Sequence, residues 1–364
     1  MVRFAPLLPL ALLAACGAEP GHRPSPPPLP APRAAADSIL LLRAGARAAE
    51  LDPINSFLVF HRDSMMLERY YRGMRASRAV NVKSISKTIL SPLVAIAIRD
   101  SLISGLDQPI RELLPRDFAW ETDSLKRQVT VRHLVAMSSG LRSTSFDNYG
   151  RWVTSPDWVR FALEQPLLCA PGTCYEYSTG NTHLLSAILS RRAGTDLISW
   201  SNRVLFRELG MPLRGWDRDP QGAYLGGNNM QFTPRELVTF GRLFLDSGRV
   251  NGREVISPAW IAESWETRQY SPWNGNGYGY LWWSRDINRE AVRFGWGYGG
   301  QFLFVVPRLD LVVVVTSSLT ARPAGVRHNP QVYDLLGCYV LPAFREADDP
   351  ATCNWREGWP GDRT

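Results

Sequence analysis

Strand-like runs stand at both ends of the globular part of this chain, with helix-like runs between them. Residues 56–61 and 65–71 are apolar and aromatic and are separated by Arg-Asp-Ser, which predicts a β-hairpin. In the last third, residues 301–306 and 311–317 are almost continuously apolar, and the second run holds four consecutive valines. Shorter strand-like runs precede them at 279–283 and 291–294, the former rich in aromatic residues. This order predicts one sheet assembled from both chain ends.

The segments between these runs carry helical periodicity. Apolar residues recur at near-helical spacing over residues 84–102, where Pro92 is expected to kink the helix. Further helix candidates, several of them opened by Ser, Thr or Pro, are residues 131–137, 156–164, 182–192, 233–246 and 258–265. We therefore predict an α+β fold. Its antiparallel sheet would come from about residues 40–80 and 279–345, flanked by helices, with a helical subdomain inserted at about 84–275.

The first 36 residues have the features of an export signal and a tether. Residues 1–16 combine Arg3 with an apolar run too short to span a membrane. The ending Leu-Ala-Ala-Cys resembles the lipobox of bacterial lipoproteins, in which Cys16 becomes lipidated; a simple secretory signal is the alternative. Residues 17–36 are rich in Pro and Ala, which favours an extended tether. We expect residues 37–364 to form a domain at the periplasm-facing surface of a bacterial membrane, attached through the lipid anchor only.

Four cysteines follow Cys16, and an even number in an oxidising compartment suggests disulfides. Proximity favours Cys169–Cys174 and Cys338–Cys353 over the crossed pairings. A zinc site is the competing interpretation. Because no C-x-x-C occurs and the five histidines are isolated from one another and from the cysteines, we expect no metal.

The basic residues are scattered, and the net charge of +7 is modest for 364 residues, so we expect no nucleic-acid partner. Among the 41 basic residues only three are lysines, Lys83, Lys87 and Lys126. A bias of codons towards arginine accounts for most of this scarcity. Because a buried lysine can lose its proton and an arginine cannot, each remaining lysine is a candidate for chemistry. The oligomeric state is left open.

Ser84 and Lys87 form an S-x-x-K tetrad at the start of a helix-like run. Positions three apart share a helix face, so the Lys87 amine would lie one turn beneath the Ser84 hydroxyl. An unprotonated amine, or its relay, could take the hydroxyl proton, and the Ser84 N–H could donate to a developing oxyanion. Such a tetrad also arises by chance and alone decides nothing.

Two further elements accompany this tetrad. Tyr177 follows the predicted Cys169–Cys174 loop, and a phenol held near an ammonium can relay protons; a packed aromatic is the alternative. Residues 295–301 contain G-x-G-x-x-G, but a strand follows them, which argues against a dinucleotide loop. Glycines at a sheet edge would let a substrate approach the backbone; a tight hairpin without function is the alternative. Neither G-x-S-x-G nor H-E-x-x-H occurs, which argues against an ordinary α/β-hydrolase and a zinc peptidase.

In their order, four motifs resemble those of the class C β-lactamase superfamily. They are Asn-Val-Lys-Ser-Ile-Ser-Lys-Thr at 81–88, Thr-Val-Arg-His-Leu-Val-Ala-Met-Ser-Ser-Gly-Leu at 130–141, Pro-Gly-Thr at 171–173 leading into Tyr177-Ser178, and Gly-Tyr-Gly-Gly-Gln at 297–301. The superfamily also holds D-alanyl-D-alanine carboxypeptidases, family VIII-type esterases and 6-aminohexanoate-dimer hydrolases. The resemblance covers about residues 40–345. It is greatest to the 6-aminohexanoate-dimer hydrolase and esterase branches.

The resemblance implies a serine β-lactamase/DD-peptidase-like fold, no cofactor, and a role for each matching residue. Ser84 would be the acylated nucleophile, Lys87 the amine that activates it, and Tyr177 the proton relay to the leaving group. The backbone N–H groups of Ser84 and Gln301 would form the oxyanion hole. Whether Lys87 or Tyr177 is the general base stays open at this point.

The departures from the family pattern concern the substrate pocket. Thr179 stands where many members have the Asn of Tyr-x-Asn, and Tyr298-Gly299-Gly300 replaces Lys-Thr-Gly, so the cation expected to hold a substrate carboxylate is missing. These four residues are pocket candidates, as is Tyr149, which could lie on a loop over the site. We therefore expect a serine hydrolase for small ester, amide or peptide-like substrates. A β-lactamase or D-alanyl-D-alanine carboxypeptidase, and a non-catalytic sensor on the same fold, are the alternatives.

Overall fold

The computed structural model describes Met1, residues 36–319, residues 325–345 and Cys353, without the side chains of 325–327. Residues 2–35, which hold most of the predicted export signal, Cys16 and most of the predicted tether, lie outside the described part. Both disulfides favoured by proximity are formed, Cys169–Cys174 and Cys338–Cys353. Within the described residues, no helix has both the length and the apolar character that crossing a bilayer requires.

The elements occur in the order that the sequence predicts, with strands at both ends and helices between. The helices are α1 (Ser38–Glu50), α2 (Ile85–Arg99), α3 (Ile110–Leu113), α4 (Val131–Val135), α5 (Tyr149–Val153), α6 (Trp158–Glu164), α7 (Thr179–Arg192), α8 (Leu197–Ser201), α9 (Pro234–Leu245), α10 (Pro258–Trp265), α11 (Gly325–Asp334) and α12 (Leu341–Ala343). The strands are β1 (Ile54–His61), β2 (Ser64–Tyr70), β3 (Val80–Asn81), β4 (Gln231–Phe232), β5 (Arg249–Val250), β6 (Arg253–Glu254), β7 (Gln269–Tyr270), β8 (Gly277–Tyr278), β9 (Trp283–Ile287), β10 (Glu290–Gly297), β11 (Gln301–Val306) and β12 (Leu311–Ser317). Short 3-10 and π turns occupy Lys126–Gln128, Phe146–Asn148, Asn202–Phe206, Pro307–Leu309 and Leu335–Val340.

The main sheet has eight strands in the order β2-β1-β12-β11-β10-β9-β8-β7. Its paired strands are antiparallel, and β1 lies against β12 with Ile54 opposite Ser317. The first strand of the described chain therefore meets the last one inside the sheet, which confirms the predicted α+β fold. At the far edge, β7 lies within the range assigned to the helical insertion, about 84–275. The C-terminal part of the sheet therefore begins at Gln269, earlier in the chain than predicted. Strands of two residues are too short to show a two-residue period.

Both faces of the sheet are covered by helices, which explains why β11 and β12 are apolar throughout. Neighbouring strand residues point to opposite faces. A Cβ built on Gly241 of α9 would lie 3.1 Å from a Leu303 methyl group, so α9 covers one face closely. Phe302 and Phe304 point to the other face, where their ring centroids lie 5.6 and 6.0 Å from that of Tyr333 in α11. Strands buried on both faces show continuous rather than alternating hydrophobicity.

Tertiary contacts override one of the predicted strands. The strand predicted over 279–283 is wrong except at Trp283, where β9 begins: the chain turns before this residue, and Leu281 has a φ of +64°. The Leu281 N–H donates to the Val135 carbonyl, and the Leu281 carbonyl accepts from the Thr88 hydroxyl at 2.9 Å. These distant partners decide the local conformation. By contrast, the helix predicted over 84–102 forms as α2 and stays α-helical through Pro92.

Candidate active site

Ser84 lies at the junction between β3 and α2. The residue before it, Lys83, has a φ of +50°, and the Lys83 N–H donates to Asn81 Oδ1 at 2.9 Å. A left-handed residue turns the chain sharply from the strand into the helix. One helical turn further on, Lys87 Nζ lies 3.1 Å from Ser84 Oγ. The S-x-x-K spacing thus brings the amine to the hydroxyl as helix geometry requires.

Lys87 is 1% exposed, and its amine has three neutral partners. Besides Ser84 Oγ, Nζ lies 3.1 Å from Thr179 Oγ1 and 2.8 Å from the Gly227 carbonyl oxygen. Burial disfavours the charged form and lowers the pKa of Lys87 to about 7. A neutral amine has two N–H donors and one lone pair. Because the Gly227 carbonyl can only accept and Thr179 can take the second N–H, the lone pair is left for Ser84 Oγ.

Gly227 is a site residue that the sequence analysis missed. A Cβ at this position would lie 3.0 Å from Lys87 Nζ and 2.3 Å from Thr182 Oγ1, so only glycine brings this carbonyl to the amine. The Gly-Gly pair at 226–227 is a weak sequence signal, because nothing near it in the sequence indicates that Lys87 is the partner of this backbone.

Tyr177 is the second side chain that reaches the Ser84 hydroxyl. Its phenol hydrogen-bonds with Ser84, and Lys87 Nζ lies 5.0 Å from the centroid of its ring. Burial raises the pKa of Tyr177, and the hydrogen bond with Ser84 opposes this only in part. The phenol therefore stays protonated near neutral pH and is suited to donate a proton. Ser84 and Lys87, at the start of α2, thus meet Tyr177, which lies just before α7.

A hydroxyl-rich segment at 143–145 fixes the chain around Tyr177. Ser143 Oγ donates to the Tyr177 carbonyl at 2.6 Å. Ser145 Oγ accepts from the Thr179 N–H and lies 2.8 Å from Thr179 Oγ1. These hydroxyls satisfy polar groups at the N-terminus of α7, which begins three residues before the predicted start at 182. Capping by a distant segment leaves no local sequence signal.

Gln301 begins β11, in the hairpin that faces the start of α2. A Cβ on Gly297 would lie only 2.5 Å from the Val82 carbonyl oxygen. The absence of a side chain at Gly297 therefore lets the hairpin pack closely against the turn before Ser84. The side-chain amide of Gln301 donates from Nε2 to the Ser317 carbonyl at 2.9 Å, and its Oε1 accepts from the Ser317 N–H at 3.0 Å. These two bonds hold Gln301 rigidly at the sheet edge.

The pocket candidates fall into different positions. Thr179 is 3% exposed and lies behind Lys87, whereas Tyr298 is 66% exposed at the tip of the β10–β11 hairpin. Gly299 and Gly300 have φ values of +80° and +88° and make the turn of this hairpin. Tyr149 accepts a hydrogen bond from Asn228 Nδ2 at 3.3 Å, which connects it to the loop that carries Gly227.

A lysine also stands beside the nucleophile. Lys83 Nζ lies 3.5 Å from Asn229 Oδ1, and Asn229 Nδ2 donates to Asp217 Oδ2 at 2.7 Å. Burial lowers the pKa of Lys83, and the Asp217 carboxylate opposes this shift. Lys83, which belongs to no catalytic pair in the sequence, is thus a basic side chain next to Ser84.

The Cys169–Cys174 disulfide closes the loop that precedes Tyr177, and the Gly172 N–H inside it donates to the Ser138 carbonyl at 2.7 Å. We expect the double substitution of Cys169 and Cys174 by Ser to lower the free energy of unfolding by about 2 kcal/mol. The disulfide restricts the unfolded chain, so the loop that it closes loses less entropy on folding than an open loop does. Urea unfolding measures this change. The Cys338→Ser/Cys353→Ser variant is the control for activity: we expect only the first variant to lower kcat as well. Unchanged kcat in the first variant would show that the loop does not position Tyr177.

Comparisons with known proteins point in one direction. The family model described as Beta-lactamase matches residues 55–337. The 6-aminohexanoate-dimer hydrolase of Paenarthrobacter ureafaciens is 24% identical over 292 residues, which are 72% of this chain and 72% of the relative. Among solved structures, EstCE1, a hydrolase with promiscuous acyltransferase activity, has a TM-score of 0.64 at 17% identity and covers 82% of this chain and 98% of its own. A D-stereospecific amidohydrolase from Streptomyces sp. has a TM-score of 0.62 at 19% identity, covering 77% and 94%. At these identities the solved structures show a shared fold.

Proposed function

Because this chain belongs to the beta-lactamase family and has the fold of its hydrolases, we propose that it is a serine hydrolase that cleaves small esters or amides through a Ser84 acyl-enzyme. The observation that carries this proposal is the Lys87 amine, which is buried among neutral partners and lies 3.1 Å from Ser84 Oγ. A lysine with a pKa near 7 is a base matched to neutral pH.

The first half of the reaction forms the acyl-enzyme. Ser84 Oγ attacks the carbonyl carbon and gives its proton to the lone pair of Lys87. The backbone N–H groups of Ser84 and Gln301 stabilise the resulting oxyanion. When the tetrahedral intermediate collapses, the Tyr177 phenol protonates the leaving group. The raised pKa of Tyr177 favours this acid role, so we assign the role of base to Lys87.

The second half restores the enzyme. The Tyr177 phenolate takes a proton from the attacking water, and the new C–O bond replaces the bond to Ser84. The Lys87 ammonium returns its proton to Ser84 Oγ, so each group regains its starting state. The reaction consumes one water and needs no other reactant.

The substrate class and the location are part of the same proposal. The missing Lys-Thr-Gly cation favours small esters or amides over β-lactams. The two disulfides support an oxidising compartment, and hence the proposed export to the bacterial envelope with a lipid anchor at Cys16.

Covalent labelling tests this function directly. We expect a fluorophosphonate to label the wild-type protein and to leave the Ser84→Ala variant unlabelled. Ser86→Ala is the matched control, since Ser86 lies on the same helix and its Oγ accepts from the Met230 N–H at 3.1 Å. An unlabelled wild type would overturn the proposal. In parallel, turnover of nitrocefin or of a D-Ala-D-Ala peptide in place of p-nitrophenyl esters would overturn the proposed substrate class.

A further inference from the structure

An aromatic surface is exposed beside the candidate nucleophile. It consists of the rings of Phe146 and Trp273, named here the Phe146–Trp273 wall, which are 64% and 43% exposed. The two rings meet edge to face, with centroids 5.8 Å apart. Their centroids lie 6.0 and 6.4 Å from that of Tyr177, whose hydroxyl hydrogen-bonds with Ser84. The apolar surface therefore begins one ring away from the reacting hydroxyl.

Phe146 is held in an unfavourable position. Its φ is +53°, a region that bulky residues rarely adopt, and its ring gains little burial. The residue before it is fixed, because the hydroxyl of Ser145 bonds to the N–H and the hydroxyl of Thr179. The segment that positions the partners of Lys87 therefore also presents the Phe146 ring to solvent. Such strain persists where surrounding contacts impose it, and it concentrates at ligand sites.

Trp273 is supported from behind. Its ring centroid lies 5.6 Å from that of Trp283 and 5.9 Å from that of Trp296. One side of the indole is thus packed and the other faces solvent. A ring that is already ordered loses little conformational entropy when a ligand binds.

We propose that the Phe146–Trp273 wall binds an aromatic leaving group, so that the substrates of this enzyme are esters or amides of arylmethyl alcohols or amines. The inference rests on the proposed function. The leaving-group side is assigned because Tyr177, which protonates that group, lies between the wall and Ser84. Two rings at an interplanar angle of 80° form a corner in which a third ring can stack on one and meet the edge of the other.

A pair of acetate esters tests this inference. Benzyl acetate and 2-methoxyethyl acetate share the acyl group and have leaving alcohols of similar basicity, so the ratio of their kcat/KM values reports recognition of the ring. We expect the wild type to prefer benzyl acetate by about tenfold or more. In Phe146→Gly and Trp273→Ala we expect this ratio to fall towards one, while kcat/KM for 2-methoxyethyl acetate stays within about twofold. Glycine suits the left-handed backbone at 146, so Phe146→Gly removes the ring without new strain.

Tyr270→Ala is the matched control, because Tyr270 is an equally large aromatic residue, is 70% exposed and lies three residues from Trp273. Its ratio should equal that of the wild type. A wild-type ratio near one, or an unchanged ratio in both wall variants, would overturn the inference. Fluorophosphonate labelling of the same samples separates the two claims. A labelled wild type without the preference defeats only the aromatic subsite, whereas an unlabelled wild type defeats the proposed function and the subsite with it.

Discussion

Replacing Lys87 by Arg is expected to lower kcat/KM for a p-nitrophenyl ester by about 10³-fold, although the substitution keeps a basic residue at this position. A guanidinium does not give up its proton near neutral pH, so it has no lone pair for the Ser84 proton. It is also bulkier than an amine, and Lys87 Nζ already lies within 3.1 Å of each of its three partners. Steady-state kinetics of the purified domain measure the loss.

The pH profile of the wild type tests the same role. Because burial lowers the pKa of Lys87 to about 7, the amine is protonated and inactive below this pH and neutral above it. We expect kcat/KM to rise through pH about 7 and to level off above it. Lys126→Arg is the matched control for Lys87→Arg, since Lys126 Nζ binds the Leu163 carbonyl and lies 3.3 Å from Glu121 Oε2. We expect this variant to keep the wild-type kcat/KM. A Lys87→Arg variant with more than a tenth of wild-type activity, or a profile that falls across pH 7, would exclude Lys87 as the base.

Tyr177→Phe is expected to have the second largest effect, and the effect should depend on the leaving group. For an ethyl ester, whose alkoxide must be protonated, we expect kcat/KM to fall by about 10²-fold. For a p-nitrophenyl ester, whose phenolate leaves unaided, kcat/KM should change little, because this parameter reports acylation. Rate measurements on the two esters give the contrast. Equal losses on both would mean that Tyr177 acts on Ser84 and not on the leaving group.

The parts of the fold that could be predicted from sequence are those whose signals are local. Strands β11 and β12 each carry an apolar run of five residues, and β1 carries one of four at 57–60. Burial on both faces of the sheet makes these runs continuous. The two-residue strands β7 and β8 carry no such run. The turn around Leu281 resembles a strand in sequence, and contacts with Val135 and Thr88 override that pattern.

The candidate site divides in the same way. Ser84 and Lys87 are three residues apart on one helix, so their approach follows from helix geometry alone. The groups that set the state of the amine come from far along the chain, since Thr179 and Gly227 follow Lys87 by 92 and 140 residues. The Gly227 group that binds Lys87 is a backbone carbonyl, so no residue type in the sequence indicates this contact. Phe146 and Trp273 also stand more than a hundred residues apart, and only the fold brings them together.

Each of the three lysines in this chain has a defined place in the structure. Lys87 contacts the candidate nucleophile, Lys83 lies next to it, and Lys126 is almost buried, with 12% of its side chain exposed, against Glu121. Lys126 has no motif in the sequence, and its salt bridge and its bond to a backbone carbonyl give it a structural place.

The pairing of β1 with β12 has a consequence for biosynthesis. The hydroxyls of Ser56 and Thr316 lie 2.5 Å apart across the sheet, although 260 residues separate them in the chain. A nascent chain emerging from the ribosome cannot close this ladder until its last strand has been made, and non-local pairing of this kind forms slowly. Until then β1 lacks its inner neighbour and exposes an apolar edge. The main sheet therefore reaches its final strand order only after most of the chain has been synthesised.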